Sequence, residues 1–163
     1  MAARRWGLVF GGGTVGLMGA VARGVHEGGG QVTAIIPEKL NRPGIVYETA
    51  DEIVVTSTMR ERKAEMDRRA DAFLALPGGF GTLEEVLEVI TLKQLKYHDR
   101  PVVLLNTGGF YDSLVALFHQ QLRESFVRPE HQRLYCVAET SEDALTCIEE
   151  YRPQRLPDKL VVP

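Results

Sequence analysis

The sequence predicts an α/β protein built on a doubly wound parallel sheet of about six strands. Short runs of β-branched and apolar residues alternate along the chain with longer segments whose apolar residues recur at helical spacing. Most of the short runs are almost continuously apolar, which is typical of parallel strands buried on both faces. Alternation of this kind favours a parallel sheet that is covered by helices on both sides.

The predicted elements follow one another along the chain. Strands are expected at Gly7–Phe10, Gln31–Ile36, Glu52–Val55, Ala72–Leu76, Pro101–Leu105 and Leu134–Val137. Helices are expected at Leu17–Glu27, Met59–Arg69, Leu83–Leu95, Tyr111–Glu124 and Ser141–Tyr151. The third helix has the clearest start signal, because Thr82 and Glu85 form a capping-box pattern. We expect one domain over residues 1–151 and a proline-containing C-terminal tail over residues 152–163.

Composition and charge restrict the class of protein. The 163 residues carry a formal net charge of −3, which gives no reason to expect a nucleic acid or a membrane as partner. No apolar run approaches the roughly 20 residues that span a bilayer, and no signal-peptide core follows the arginines near the N-terminus. We therefore expect a cytoplasmic protein whose two cysteines, Cys136 and Cys147, are reduced.

A first glycine-rich turn, GGGTVG at residues 11–16, follows the strand that ends at Phe10. Parallel sheets bind ligands beyond the carboxyl ends of their strands. Glycines let the backbone approach a ligand closely, and amides at the next helix start can bind an anion. The same glycines match the G-x-G-x-x-G dinucleotide pattern, which is weak by itself. A tight turn without a ligand is the alternative.

A second glycine-rich turn, PGGFGT at residues 77–82, follows the predicted strand Ala72–Leu76. Gly78, Gly79 and Gly81 keep side chains out of the turn, and Thr82 adds a hydroxyl beside the first amides of the next helix. A phosphate fits such a turn without a lysine. The sequence contains no Walker motif, so it does not indicate phosphoryl transfer from ATP.

Two carboxylates, Glu84 and Glu85, come directly after the second turn. A carboxylate can stabilise the oxocarbenium-like transition state of glycosidic cleavage, or it can activate the attacking water. The alternative role is a favourable interaction with the helix dipole. A cation to accompany them is available in the basic segment 60–63, but spacing alone does not choose among Arg60, Arg62 and Lys63.

These motifs together resemble the Lonely Guy family, the cytokinin riboside 5′-monophosphate phosphoribohydrolases, which were long described as possible lysine decarboxylases. PGGFGTLEE at 77–85 matches the family signature PGGxGTxxE. GGGTVGLMG at 11–19 resembles its first glycine-rich segment, and MRERKAEM at 59–66 resembles its arginine-bearing segment. The three motifs occur in order and at the family spacing, and the resemblance extends from about Trp6 to Tyr151.

The resemblance implies a Rossmann-like homodimer that hydrolyses the N-glycosidic bond of AMP or of cytokinin riboside monophosphates, releasing free base and ribose 5-phosphate. It implies that Arg62 and Glu85 are the catalytic pair. The implied substrate- and phosphate-binding residues are Gly12, Gly13, Met18, Gly78, Gly79, Gly81, Thr82 and Glu84. Neither a metal nor an organic cofactor is implied.

One departure from the family pattern leaves a second function open. Family members usually have a further strand, a Cys-Gly-Ser-Ser-like turn and a helix before the strand that is Gly7–Phe10 here. We expect this chain to lack that first strand and helix, and with them part of the nucleotide pocket. A non-catalytic nucleotide- or cofactor-binding protein on the same scaffold is therefore the main alternative. An NAD(P)-dependent enzyme, based on the first glycine-rich turn, is the third hypothesis.

Overall fold

The computed structural model describes residues 1–153 and has the predicted parallel α/β fold. Its strands are β1 (Leu8–Phe10), β2 (Val32–Pro37), β3 (Glu52–Thr56), β4 (Phe73–Ala75), β5 (Val102–Leu105) and β6 (Cys136–Ala138). Its α-helices are α1 (Gly16–Glu27), α2 (Met59–Arg69), α3 (Phe80–Gln94), α4 (Asp112–Arg123) and α5 (Ser141–Glu149). The predicted C-terminal tail lies outside the described residues from position 154 onward. The chain divides into a first compact unit, Met1–Ala70, and a second that begins at Asp71.

The first unit is a three-stranded parallel sheet in the order β1-β2-β3. The central strand β2 is almost entirely buried, which explains its continuous apolar sequence. Its residues Val32 and Ala34 pack with Ala22 and Val25 of α1 in one core cluster. Ile35 points to the opposite face by strand alternation, where it is also fully buried, and α2 packs against the same strand. The sheet therefore carries helices on both faces.

The second unit repeats this arrangement with the parallel order β4-β5-β6. On one face of the central strand β5, Val102 and Leu104 pack with Val86 of α3. On the other face, Val103 packs with Ala144 of α5. Successive residues of β5 therefore face two different cores, one on each side of the sheet, as a doubly wound sheet requires.

One expectation about the cysteines is wrong. Cys136 and Cys147 form a disulfide, whereas the sequence predicted two reduced thiols. Cys136 lies on β6 and Cys147 on α5, and the packing of this helix on this strand brings their Cα atoms to 6.8 Å, within the range that a disulfide spans. A separation of 11 residues between a strand and a helix matches no short cysteine motif, so the sequence carried no signal for the pair.

None of the helices in residues 1–153 is long and apolar enough to cross a bilayer.

Candidate functional site

The second glycine-rich turn leads directly from β4 into α3. Gly79 is the N-cap, and the helix begins at Phe80, three residues before the predicted start at Leu83. The amide of Leu83 donates to the carbonyl of Gly79 at 3.1 Å. The N-cap is therefore not Thr82, and the capping box predicted from Thr82 and Glu85 is wrong. The reason is that the helix has already begun when the chain reaches Thr82.

The early start of α3 places four backbone amides at the second turn. The first four amides of an α-helix have no partner within the helix. In α3 these amides belong to Gly79, Phe80, Gly81 and Thr82. The helix dipole makes this end favourable for an anion. The turn thus brings together three predicted phosphate-binding residues, and it adds the amide of Phe80, which the sequence did not single out.

The glycines of this turn have different surroundings. A β-carbon on Gly78 would lie 2.2 Å from Oγ1 of Thr82 and 2.9 Å from its Cβ, so the threonine covers Gly78. Apart from the adjoining residues and the backbone of α3 itself, no described atom lies within 4 Å of a β-carbon built on Gly79 or on Gly81. The space beside those two amides is therefore open to a ligand.

Both predicted carboxylates lie on α3 just beyond these amides. Glu84 is exposed and Glu85 is half-buried. Glu85 follows Thr82 by three residues and Gly81 by four, so it lies on the same face of the helix as both. A carboxylate and a helix end that favours an anion are thus arranged on successive turns of one helix.

The first glycine-rich turn is held by the loop before β3. The carbonyl of Gly12 accepts from the amide of Tyr47 at 2.8 Å, and the amide of Thr14 donates to the carbonyl of Ile45 at 2.8 Å. The residues between these partners form an isolated antiparallel bridge. The turn therefore has a fixed, strand-like partner in Ile45–Tyr47.

Each predicted residue of this turn has a specific environment. Gly12 has a φ of +76°, and a β-carbon there would lie 3.1 Å from Cβ of Ile36. A β-carbon on Gly13 would lie 2.7 Å from Cε of Met18, so the end of this methionine covers Gly13. Gly12, Gly13 and Met18, which the resemblance assigned to the nucleotide site, thus lie together.

Helix α2 presents one of the three candidate cations to the same turn. Its N-cap Thr58 accepts from the amide of Glu61 at 3.1 Å, and the Glu61 carboxylate accepts from the amide of Ser57 at 3.0 Å. This reciprocal capping fixes the start of the helix and hence the direction in which each side chain points.

Arg62 is buried, with 9% of its surface exposed, whereas Arg60 is exposed and Lys63 is half-buried. A β-carbon on Gly11 would lie only 3.0 Å from Nη1 of Arg62. The guanidinium group therefore lies against the backbone of the first glycine-rich turn, in the first unit. Glu85, the other member of the predicted pair, belongs to the second unit.

Sequence reasoning missed two polar residues that follow β5. Asn106 is 4% exposed and Tyr111 is 1% exposed. The hydroxyl of Tyr111 donates to the carbonyl of Leu76, the residue before the second turn, at 2.5 Å. Tyr111 was expected as the first residue of a helix, but α4 begins at Asp112. The available signal was position, because both residues follow a strand at the carboxyl edge of the sheet.

Solved structures show the same fold. The molybdenum cofactor binding protein of Rippkaea orientalis superposes with a TM-score of 0.67 at 24% sequence identity, covering 91% of this chain and 78% of that chain. At this identity, the likeness shows the fold alone.

Curated relatives are much more similar in sequence. The probable cytokinin riboside 5′-monophosphate phosphoribohydrolase LOGL5 of Oryza sativa subsp. japonica is 51% identical over 146 residues, which are 90% of this chain and 59% of the relative. The cytokinin riboside 5′-monophosphate phosphoribohydrolase LOG2 of Arabidopsis thaliana is 50% identical over 147 residues, which are 90% of this chain and 69% of the relative. The chain thus spans about two thirds or less of the length of these two relatives.

A protein-family model described as "Possible lysine decarboxylase" matches residues 18–148. This match covers most of the chain, including the arginine-bearing segment and the second glycine-rich turn. With the two phosphoribohydrolase relatives, it shows that the chain belongs to the Lonely Guy family.

Proposed function

We propose that this protein hydrolyses the N-glycosidic bond of cytokinin riboside 5′-monophosphates or AMP, releasing the free base and ribose 5-phosphate. The observation that carries the proposal is the start of α3, where four helix amides and the Glu85 carboxylate lie on successive turns. Two relatives with 51% and 50% sequence identity are named for the same reaction, which supports the proposal.

The 5′-phosphate is assigned to the N-terminus of α3. The amides of Gly79, Phe80, Gly81 and Thr82 can donate to its oxygens, and the helix dipole favours its charge. The open space beside Gly79 and Gly81 lets the phosphate approach the backbone. Gly78 is assigned to the shape of the turn, because Thr82 covers it.

Glu85 is assigned to the reacting centre. When the bond between C1′ and the base nitrogen breaks, the electron pair leaves with the base and positive charge develops on the ribose. A carboxylate stabilises that charge, and it can also orient the water whose oxygen bonds to C1′. The water gives up one proton, and the departing base gains one. Glu84, which is exposed one position earlier, is assigned to the substrate-binding residues.

Arg62 is assigned to the orientation of the ribose or phosphate oxygens. Its guanidinium is permanently charged and offers a rigid fork of donors. Burial against Gly11 fixes the position of that fork relative to the first glycine-rich turn. Gly12, Gly13 and Met18 on this turn are assigned to the nucleotide-binding residues on the basis of the family resemblance.

The reaction is tested by incubating the protein with AMP and with isopentenyl-AMP and measuring free base and ribose 5-phosphate. Glu85→Gln should reduce turnover at least 100-fold, since an acid–base group contributes about 10²–10⁴-fold, and nucleotide binding should persist. Glu88→Gln, an exposed glutamate one turn further along α3, is the matched control and should retain activity. Tight nucleotide binding without base release by the wild type would favour the non-catalytic alternative. An active Glu85→Gln variant would contradict the assignment of Glu85.

We also propose that the protein is a homodimer, as the family resemblance implies. We propose a cytoplasmic location on the basis of the composition. Several large apolar side chains are exposed in the single chain, among them Phe80 at 92% and Phe126 at 79%. Exposed groups of this size are common at protein interfaces. Light scattering coupled to size-exclusion chromatography tests the assembly, and cell fractionation tests the location.

A further inference from the structure

The second glycine-rich turn is anchored from outside its own helix. The chain leaves β4 at Leu76, and the next residue, Pro77, has no amide with which to extend the hydrogen-bond ladder. The register of β4 with β5 ends at the pair Ala75 and Leu104. Beyond that pair, the hydroxyl of Tyr111 donates to the carbonyl of Leu76 at 2.5 Å.

Tyr111 is held rigidly in place. Its ring packs in the core cluster that contains Ala75, Val86, Val102 and Leu104, and 1% of its surface is exposed. Its backbone amide donates to Oδ1 of Asn106 at 2.6 Å. Burial raises the pKa of the Tyr111 phenol, so the hydroxyl keeps its proton and remains a donor at neutral pH.

Asn106 connects this anchor to the rest of the sheet edge. Its backbone amide donates to the carbonyl of Ala138, the last residue of β6, at 2.7 Å. Its side-chain Nδ2 donates to Oδ1 of Asp112 at 2.8 Å and to Oε1 of Glu139 at 3.2 Å. The ends of β4, β5 and β6 are therefore linked through one buried asparagine and one buried tyrosine.

We propose that Tyr111, oriented by Asn106, is a positioning residue that sets the affinity of the second glycine-rich turn for the 5′-phosphate of the substrate. The proposal rests on the proposed function, which places the phosphate at the amides of α3. Tyr111 does not contribute a ligand to the phosphate. It fixes the carbonyl of Leu76, and with it the direction in which the chain enters Pro77–Thr82.

If Tyr111 orients the phosphate-binding amides, its hydroxyl affects ligand binding in a way that core packing alone does not. A residue that only fills the core would affect every ligand of the folded protein to the same extent. A residue that orients the phosphate-binding amides should affect ligands that carry a phosphate and spare those that do not. The comparison of AMP with adenosine therefore separates the two roles.

The test uses Tyr111→Phe, which removes the hydroxyl and keeps the ring in the core. Isothermal titration calorimetry with AMP, ribose 5-phosphate and adenosine is combined with steady-state kinetics on AMP. One neutral hydrogen bond contributes about 0.5–1.5 kcal/mol, so we expect roughly a three- to tenfold increase in KM and in the two phosphate-ligand Kd values. We expect kcat and the adenosine Kd to change less than twofold. Partial unfolding would lower the binding stoichiometry and leave Kd unchanged, so it is recognised separately.

Tyr135→Phe is the matched control, because Tyr135 packs against the same core cluster. It should leave all three Kd values unchanged. Equal AMP affinity in Tyr111→Phe and the wild type would overturn the inference and leave the proposed function standing. An equal loss of affinity for AMP and for adenosine would do the same. A wild-type protein that neither binds AMP nor releases base would refute the proposed function and the inference with it.

Discussion

The side chain of Thr82 occupies the space that a β-carbon on Gly78 would need, with its Oγ1 only 2.2 Å from that position. We therefore expect Gly78→Ala to displace either Thr82 or the turn, at a cost of about 1–3 kcal/mol as for other overpacked sites. Activity on AMP should fall as well, because the displaced residues include a proposed phosphate donor. Thermal unfolding and the base-release assay measure the two effects.

Gly81→Ala is the control for that substitution, since no described atom outside the adjoining residues and the backbone of α3 lies within 4 Å of the new β-carbon. It should leave the free energy of unfolding unchanged or raise it by up to about 1 kcal/mol, because alanine is the better helix former. Adding Thr82→Ala to Gly78→Ala should recover part of the lost stability, as expected for residues in contact. Strictly additive effects of the two substitutions would contradict the contact.

Two neighbouring glycines of the first glycine-rich turn should differ in how much stability is lost when alanine replaces them. Gly12 has a φ of +76° and lies close to Ile36, so Gly12→Ala should cost about 1–3 kcal/mol through backbone strain. At Gly13 the nearest atom is the end of the flexible Met18 side chain, so Gly13→Ala should cost less than about 1 kcal/mol. Urea unfolding of both variants measures the difference. Equal losses of stability in the two variants would contradict the different surroundings described for Gly12 and Gly13.

Lys93 should make stability depend on pH. It is 4% exposed, its Nζ lies 4.5 Å from the centre of the Tyr151 ring, and burial lowers its pKa to about 8 despite the attraction of Asp99. The unfolded chain therefore binds more protons than the folded chain above pH 8, and stability from this group rises with pH. Between pH 7 and 9 the wild type should gain about 1 kcal/mol relative to Lys93→Met.

Urea unfolding at pH 7 and 9 measures this gain, and Lys39→Met, at an exposed lysine, is the control. The range stops at pH 9 because the pKa of Tyr151 is raised by burial, which would reverse the trend at higher pH. A constant difference between wild type and Lys93→Met over this range would contradict the lowered pKa.

Asp51 should stabilise the protein except in acid. Its carboxylate accepts from the buried amide of Val32 at 2.7 Å and pairs with Nε2 of His26 at 2.9 Å, and these interactions lower its pKa. The stabilisation is present above the ordinary aspartate pKa of about 3.9 and is lost as pH falls below it. Asp51→Ala should therefore lower Tm at pH 7, and the difference from wild type should shrink below pH 4. Asp71→Ala, at an exposed aspartate, should show no such trend.

The fold was predictable from the sequence because its strands are buried on both faces and read as continuous apolar runs, as in Val102–Leu105. The start of α3 was placed too late, because Gly79 and Gly81 are poor helix formers and hid the first turn. Spacing alone did not choose Arg62 over Arg60, since the choice depends on how α2 is oriented against the sheet. The role of Tyr111 was missed, because its hydrogen bond reaches back 35 residues to Leu76 and only its position after β5 pointed to it.

The pairing of Ile45–Tyr47 with the first glycine-rich turn also restricts how this protein can vary during evolution. The loop between β2 and β3 is tied down from Ile45 onward, and the carbonyl of Arg42 accepts from the amides of Ile45 and Val46 at 3.0 and 3.1 Å. Between these anchors, Pro43 and Gly44 are exposed, and Gly44 has no described neighbour within 4 Å of a β-carbon. Insertions or deletions should therefore be tolerated at residues 43–44 and rejected at 45–47. Homologues that differ in loop length should concentrate the difference at those two positions and keep the rest of the loop constant in length.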